Sequence, residues 1–204
     1  MQDKGVQHVF LVGAKSLGAY GGYETFINKL TEYHQNNRRI KYHVACKANG
    51  SGCMDPEKTE GAKVISEHEF LYHNARCFRI HVPEKLGSAQ AIYYDATALK
   101  ECLRIIRGQK IQHPIVYIMA CRIGPFMKHF YKVIHKLGGV VYLNPDGHEF
   151  LRALWPAPVK KYWKISERMM VKWSDFVICD SKNIEKYIHE CYGGKGIKGR
   201  NPKT

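Results

Sequence analysis

The sequence predicts an α/β fold in which a doubly wound, mainly parallel sheet is covered by helices on both faces. Three observations carry this. Short apolar runs such as His8–Val12 and Pro114–Met119 suit strands buried on both faces. Segments of helical periodicity alternate with them. The first strand runs into a glycine-studded turn, Gly13–Gly22, that opens directly onto a helix, the arrangement of a Rossmann-like βαβ unit.

Taken in order, His8–Val12 is the first strand, and a helix follows through Phe26, Ile27, Leu30 and Tyr33 until Asn36-Asn37 ends it. Ile40–Cys46 is the second strand. Residues 47–62 are polar and turn-rich and read as a surface loop. Short strands follow at Lys63–Ile65 and Cys77–Val82, with Pro83 stopping the latter. Ser88 can cap a helix through Ile92, Leu99, Leu103 and Ile106, with Gly108 as its terminator. Pro114–Met119 is a third long strand, followed by a helix through Phe126, Phe130, Val133, Ile134 and Leu137 that closes at Gly138-Gly139. Val140–Leu143 is the next strand. Pro156 and Pro158 flank the start of a basic helix running to about Trp173, Asp175–Cys179 is the last strand, and Ser181 begins a helix reaching Tyr192. Residues 1–192 thus form one domain, and the glycine-rich basic stretch 193–204 is expected to be a flexible tail.

The composition is that of a globular chain, with 45% hydrophobic and 25% charged residues. Thirty-two basic against 18 acidic residues give a net charge of +14, which attracts phosphates, nucleic acid or anionic lipid alike. No apolar run is long enough to span a bilayer and the first residues lack the apolar core of a secretory signal, so a cytoplasmic location is expected. The seven cysteines form no CxxC pair or zinc-like spacing, and free thiols in a reducing compartment are expected. His34, His113, His129 and His189 show no ligand spacing, so no metal is assigned. The basic residues are spread over many elements rather than gathered in one recognition helix, which argues against a nucleic-acid partner.

Ligands of such sheets sit beyond the carboxyl ends of the strands, and three notable turns fall there: Gly13–Gly22, Asn144–Glu149 and Asp180-Ser181. The first fails the P-loop pattern, since Ala19 and Tyr20 stand where Lys and Ser or Thr are required. What remains is Gly21-Gly22 before a helix, where missing side chains let backbone N–H groups approach a phosphate; a plain tight turn has the same sequence. Asn144-Pro145-Asp146-Gly147-His148-Glu149 gathers three titratable side chains that could orient or deprotonate a hydroxyl, although Pro-Asp-Gly is also an ordinary turn. His148 leads, because a neutral imidazole accepts a proton near pH 7. Between Arg152 and Trp173, lysines 160, 161, 164 and 172 and Arg168 interleave with aromatic and apolar residues. That pattern suits an anionic membrane surface, or else a core stripe of Tyr162, Ile165, Met169 and Trp173 backed by a solvated basic face.

Together, Gly21-Gly22-Tyr23-Glu24-Thr25-Phe26, Asn144–Glu149 and Ser174–Ile184 resemble the N-terminal domain of bacterial family 4 glycosyltransferases of the rhamnosyltransferase type, over about His8 to Tyr192. The resemblance implies the N-terminal, acceptor-side half of a GT-B enzyme, metal-independent and without a cofactor beyond its nucleotide-sugar donor. It assigns Gly21 and Gly22 to the donor diphosphate, Asp146 and His148 to catalysis, and Tyr23, Glu24 and Glu149 to the acceptor. The implied reaction transfers a sugar such as rhamnose to a lipid-linked saccharide in cell-surface polysaccharide synthesis, peripherally on the inner membrane face. The donor-binding C-terminal domain is absent from this sequence, so little transfer is expected from the chain alone, and a separate C-terminal half is an expected partner. The rival expectation is a non-catalytic phospholigand-binding or regulatory module.

Overall fold

The computed structural model describes residues 5–18, 21–145 and 156–193. Its strands are β1 (Gln7–Val12), β2 (Ile40–Lys47), β3 (Lys63–Ser66), β4 (Glu69–Tyr72), β5 (Ala75–Ile80), β6 (Ile115–Met119), β7 (Val140–Asn144) and β8 (Phe176–Val177). Its helices are α1 (Gly22–Tyr33), α2 (Gln90–Gly108), α3 (Gly124–Lys136), α4 (Ala157–Lys172) and α5 (Lys182–Tyr192). The strands form one eight-stranded sheet in the order β3-β4-β5-β2-β1-β6-β7-β8. From β5 to β8 every neighbouring pair is parallel, which is the expected doubly wound sheet. The chain winds outward from β1 through β2 to β5. It then crosses back by α2 to β6 on the other side of β1.

Alternate residues of the buried strands feed two cores. Phe10, Val12, Ala45, Val116 and Ile118 face α2, α3, α4 and α5, whose contributions include Leu99, Ile106, Phe130, Ile134, Met170 and Ile188. Leu11, Val44, Cys46 and Met119 face the other way, against Ile27 of α1 and Met54 from the loop after β2. This two-sided burial is why β1 and β6 read as continuous apolar runs rather than alternating ones.

Several expectations are corrected. The edge of the sheet contains an extra strand, β4, which pairs antiparallel with both β3 and β5. Its sequence, Glu-Phe-Leu-Tyr, is too short to show a period, and the left-handed pair His73 and Asn74 makes the turn into β5. Ser88 does not cap α2: a 3-10 turn at Glu84–Ala89 precedes the helix, and Ala89 stands at its N-cap. Gly108 is the last residue of α2, and the left-handed turn falls on Lys110. On α1, Phe26 and Tyr33 are exposed and the buried positions are Glu24, Ile27 and Thr31. On α4 the inward stripe is Ser166, Glu167, Met170 and Val171, while Ile165 is 47% exposed. The reason is polar. Ser166 Oγ accepts the Gly124 N–H at 2.8 Å and donates to the Cys121 carbonyl at 2.6 Å, which requires this face of the helix to turn inward. The last strand is only two residues long, while Ser181 caps α5 as expected, accepting the Ile184 N–H at 3.2 Å. All seven cysteines are free, four of them buried.

At the amino end of the sheet a histidine pair is buried between β1 and β2. His8 Nδ1 and His43 Nε2 share a hydrogen bond of 2.9 Å, and the His43 ring stacks on Phe10 at 4.4 Å. His43 is fully buried, and its Nδ1 has no partner among the described residues. Burial, then the neighbouring His8, Arg76 and Lys41, hold its pKa down at about 3. Since the folded value lies below that of an unfolded histidine, the unfolded chain binds the extra proton between about pH 6.5 and 3, and stability falls as pH falls through that window. Replacing His43 with Gln should flatten that acid limb by up to about 1.4 kcal/mol per pH unit in urea denaturation run from pH 7 to pH 4.

Candidate functional site

β1 and β6 lie side by side while their connections leave in opposite directions, which opens a crevice at their carboxyl ends. The backbone on both walls is shaped by left-handed residues. Gly13 (φ 118) follows β1, and a Cβ there would stand 2.1 Å from the Met119 carbonyl oxygen. Only glycine permits this approach of the two strand ends. Opposite it, Ala120 takes φ 78 just after β6, a conformation costly for a residue with a Cβ, while its N–H bonds to the Asn144 carbonyl at 3.0 Å.

The turn after Gly13 is held at each step. The Tyr94 hydroxyl of α2 donates to the Ala14 carbonyl at 2.6 Å, and the Lys47 N–H donates to the Lys15 carbonyl at 2.6 Å. The Lys15 N–H in turn donates to Glu24 Oε1 at 2.8 Å, so the first turn of α1 is tied back to the end of β1. Glu24 is 8% exposed, and its other oxygen lies where a Cβ on Gly21 would be, 2.1 Å away. A side chain at Gly21 would displace the Glu24 carboxylate from this position. The Gly21 φ of 174 is extended backbone, so conformation does not demand a glycine there. Gly22, the first helical residue, is exposed, and a Cβ there would meet nothing within 4 Å.

Arg122, on the loop from β6 to α3, spans the crevice. Its Nη1 donates to the Gly13 carbonyl at 3.1 Å and to Asp95 Oδ2 at 3.2 Å. The loop is fixed from α4, where the Tyr162 hydroxyl donates to the Arg122 carbonyl at 2.8 Å. Asp95 sits on α2 with no exposed side-chain surface, and burial raises its pKa to about 6 against the opposing pull of Arg122. Lys47 at the end of β2 has its pKa lowered by burial and then by Lys15. The site therefore brings Lys15, Lys47 and Arg122 near the amino end of α1, a setting suited to an anionic ligand.

Of the residues expected from sequence, Gly21, Gly22, Tyr23 and Glu24 lie together at the start of α1, beside Lys15. Tyr23 is half-buried. Asn144, which ends β7, is 6% exposed, and Pro145 follows it at the same edge of the sheet. Asp146, His148 and Glu149 lie outside the described residues, as does most of the tail at 193–204. Sequence reasoning missed Lys15, Lys47, Tyr94, Asp95 and Arg122. A charged residue at or just past the end of an apolar strand, as Lys47 and Arg122 are, was the available signal. Asp95 falls on the apolar stripe of Ile92, Leu99, Cys102 and Ile106, and that place in the helical period was the signal that it faces inward.

Fold and crevice define a doubly wound α/β domain whose candidate site lies at the topological switch point of its sheet. The chain belongs to the family described as Domain of unknown function (DUF1972), whose model matches residues 6–200. No curated protein matches it. Among solved structures, one described as "Trehalose-6-phosphate from E. coli bound with UDP-2-fluoro glucose" matches with 11% identity and a TM-score of 0.46, over 91% of this chain and 42% of that one. The alpha,alpha-trehalose 6-phosphate synthase of Burkholderia multivorans matches with 8% identity and a TM-score of 0.43, over 91% of this chain and 43% of that one. The chain thus spans less than half the length of these proteins.

Replacing Arg122 with Met leaves Asp95 buried without its cation. We expect a loss of about 2 kcal/mol at pH 7.5, less than for a fully buried pair because the guanidinium is partly exposed. The loss should shrink by pH 5, where a carboxyl of raised pKa is already protonated in the folded state. Denaturation of both proteins at the two pH values checks this.

Proposed function

We propose that this chain is the acceptor-side domain of a glycosyltransferase that moves a sugar, such as rhamnose, from a nucleotide donor to a lipid-linked saccharide. The observation that carries the proposal is Gly22. The fold accounts for the other glycines of the crevice region: Gly13 lets β1 approach β6, Gly18 takes a left-handed φ of 81, Gly21 leaves room for the Glu24 carboxylate, and Gly124 lies where a Cβ would be 2.4 Å from Ser166 Cα. Gly22 has no such packing role, and its bare first-turn position is where a diphosphate would need close access to backbone N–H groups. The resemblance of the Gly21–Phe26 motif to the donor-diphosphate turn of family 4 enzymes supports the same reading.

In this mechanism the positive end of α1 stabilises the leaving diphosphate, and His148 or Asp146, following β7, positions and deprotonates the acceptor hydroxyl. Tyr23 and Glu149 are assigned to the acceptor, and Glu24 shapes that side by fixing the turn that carries Lys15. The nucleotide would be held mostly by a donor-side domain beyond this chain.

The membrane part of the proposal rests on two adjacent helices. α3 contains no acidic residue and exposes Lys128, Lys132, Lys136 and Phe126, the last 50% exposed. The single acid of α4, Glu167, is buried and accepts the Tyr187 and Tyr192 hydroxyls of α5 at 2.6 and 2.5 Å. Lys161, Lys164, Arg168, Lys172 and the half-exposed Ile165 are left on the outer side of α4. Clustered cations around exposed apolar side chains suit an anionic bilayer surface. No described helix is long and apolar enough to cross a membrane.

Gly22→Ala should keep native thermal stability, since alanine favours a helix by up to about 1 kcal/mol over glycine, yet lower sugar transfer at least tenfold. Transfer is read in the chain mixed with a separately expressed donor-binding half; undiminished transfer would contradict the assignment. Binding of a phosphorylated ligand without any transfer by the mixture would favour the binding-module reading. Flotation with anionic vesicles should occur at low salt and be lost at about 0.5 M salt or when Lys164 and Arg168 are changed to Glu. Indifference to lipid charge would remove the membrane part.

A further inference from the structure

Two lysines stand at the carboxyl ends of β1 and β2 without carboxylate partners. Lys47 is 9% exposed, and its Nζ reaches only the Ser51 carbonyl, at 3.4 Å. Lys15 lies beside it, joined through the 2.6 Å bond from the Lys47 N–H to the Lys15 carbonyl. Neither ammonium has an ion-pair partner among the described residues. The loop after β2 folds onto both side chains. Gly50 and Gly52 are left-handed there (φ 76 and 82); a Cβ on Gly52 would lie 2.6 Å from Lys15 Cδ and one on Gly50 3.4 Å from Lys47 Nζ. Asn49 locks this loop to Val82 by reciprocal bonds of 2.8 and 3.0 Å. Next to Lys15 in the chain, the Ser16 hydroxyl is fully buried and has no partner among the described residues.

Holding the largely buried Lys47 beside the exposed Lys15 without a counter-charge works against folding, and a methionine would fill the same space without the repulsion. An arrangement that the fold does not require, held in place by a shaped loop, points to a ligand that supplies the missing negative charge. We propose that Lys15 and Lys47 form an anion subsite that takes a phosphoryl group of the acceptor, next to the α1 end assigned to the donor. Lys47 lies on the β2 side of β1, away from β6, while Lys15 adjoins the first turn of α1, so the subsite borders the α1 end. The naming of the ligand as an acceptor rests on the glycosyltransferase reading; the chemistry recognised is a phosphate ester, whether on a soluble sugar phosphate or on a lipid-linked one.

The test titrates inorganic phosphate into the chain and follows backbone amide resonances. Shifts should concentrate at residues 15–16 and 47–53, and Lys15→Met and Lys47→Met should each weaken phosphate binding at least fivefold. Lys47→Met should also hold or raise the melting temperature, an outcome a structural lysine would not give. Binding unchanged in both variants, or a marked fall in the melting temperature of Lys47→Met, overturns the subsite. So does loss of phosphate binding in Gly22→Ala with retention in the lysine variants, since that places the anion at the helix end. Competition by glucose 1-phosphate indicates a soluble source, and competition only by phosphatidic acid vesicles a lipid one; either supports the subsite. Lysine-dependent phosphate binding with no transfer by the reconstituted enzyme leaves the subsite standing and removes the glycosyltransferase reading instead.

Discussion

A single guanidinium organises the crevice. Arg122 joins the Gly13 carbonyl at the end of β1 to the Asp95 carboxylate inside α2, and its own backbone is gripped by Tyr162 of α4. Those three contacts come from segments remote in the chain, so the geometry of the first turn is set by tertiary structure rather than by the turn itself. The arrangement carries a cost. Asp95 has no exposed side-chain surface, and its raised pKa records that its charge is kept only by the partner beside it. A switch-point crevice with a rigid wall is what that pair maintains.

Local order propagates outward from there. With Gly13 pressed on Met119 and Lys15 bonded to Glu24, the start of α1 cannot swing away from the sheet, and the helix end stays aimed at the carboxyl edge. On the far side, Ser166 binds both Cys121 and Gly124, so α4 presents a polar residue inward and turns Ile165 out. One internal hydroxyl therefore decides which face of a basic helix meets solvent. The outward cations of α3 and α4 follow from core packing as much as from composition.

Much of this was legible in the sequence. Strands buried on both faces are nearly pure apolar runs, so β1, β2, β6 and β7 stood out, and the alternation of strand and helix implied the doubly wound sheet. β4 was not legible, because a four-residue edge strand pairs through its backbone and leaves little pattern in its side chains. The α1 and α4 stripes were misread for a related reason. Hydrophobicity alone cannot foresee that Glu24, Thr31, Ser166 and Glu167 go inward to satisfy buried hydrogen bonds. At the site, Gly21 and Gly22 looked equivalent in sequence; only the position of the Glu24 carboxylate separates the glycine whose space is occupied from the one that is open. Lys47 reads as the polar end of a strand until its burial beside Lys15 is known.

The central claim is that the β1/β6 crevice and the first turn of α1 receive a phosphorylated ligand. Hydrogen–deuterium exchange of the chain with and without a nucleoside diphosphate sugar tests it most directly, because the claim concerns backbone N–H groups. The account predicts slowed exchange at residues 13–16 and 21–25 and in the 120–124 loop, with the β3–β4 hairpin unchanged. Protection confined to the hairpin or to α5, or none at saturating ligand, would contradict it.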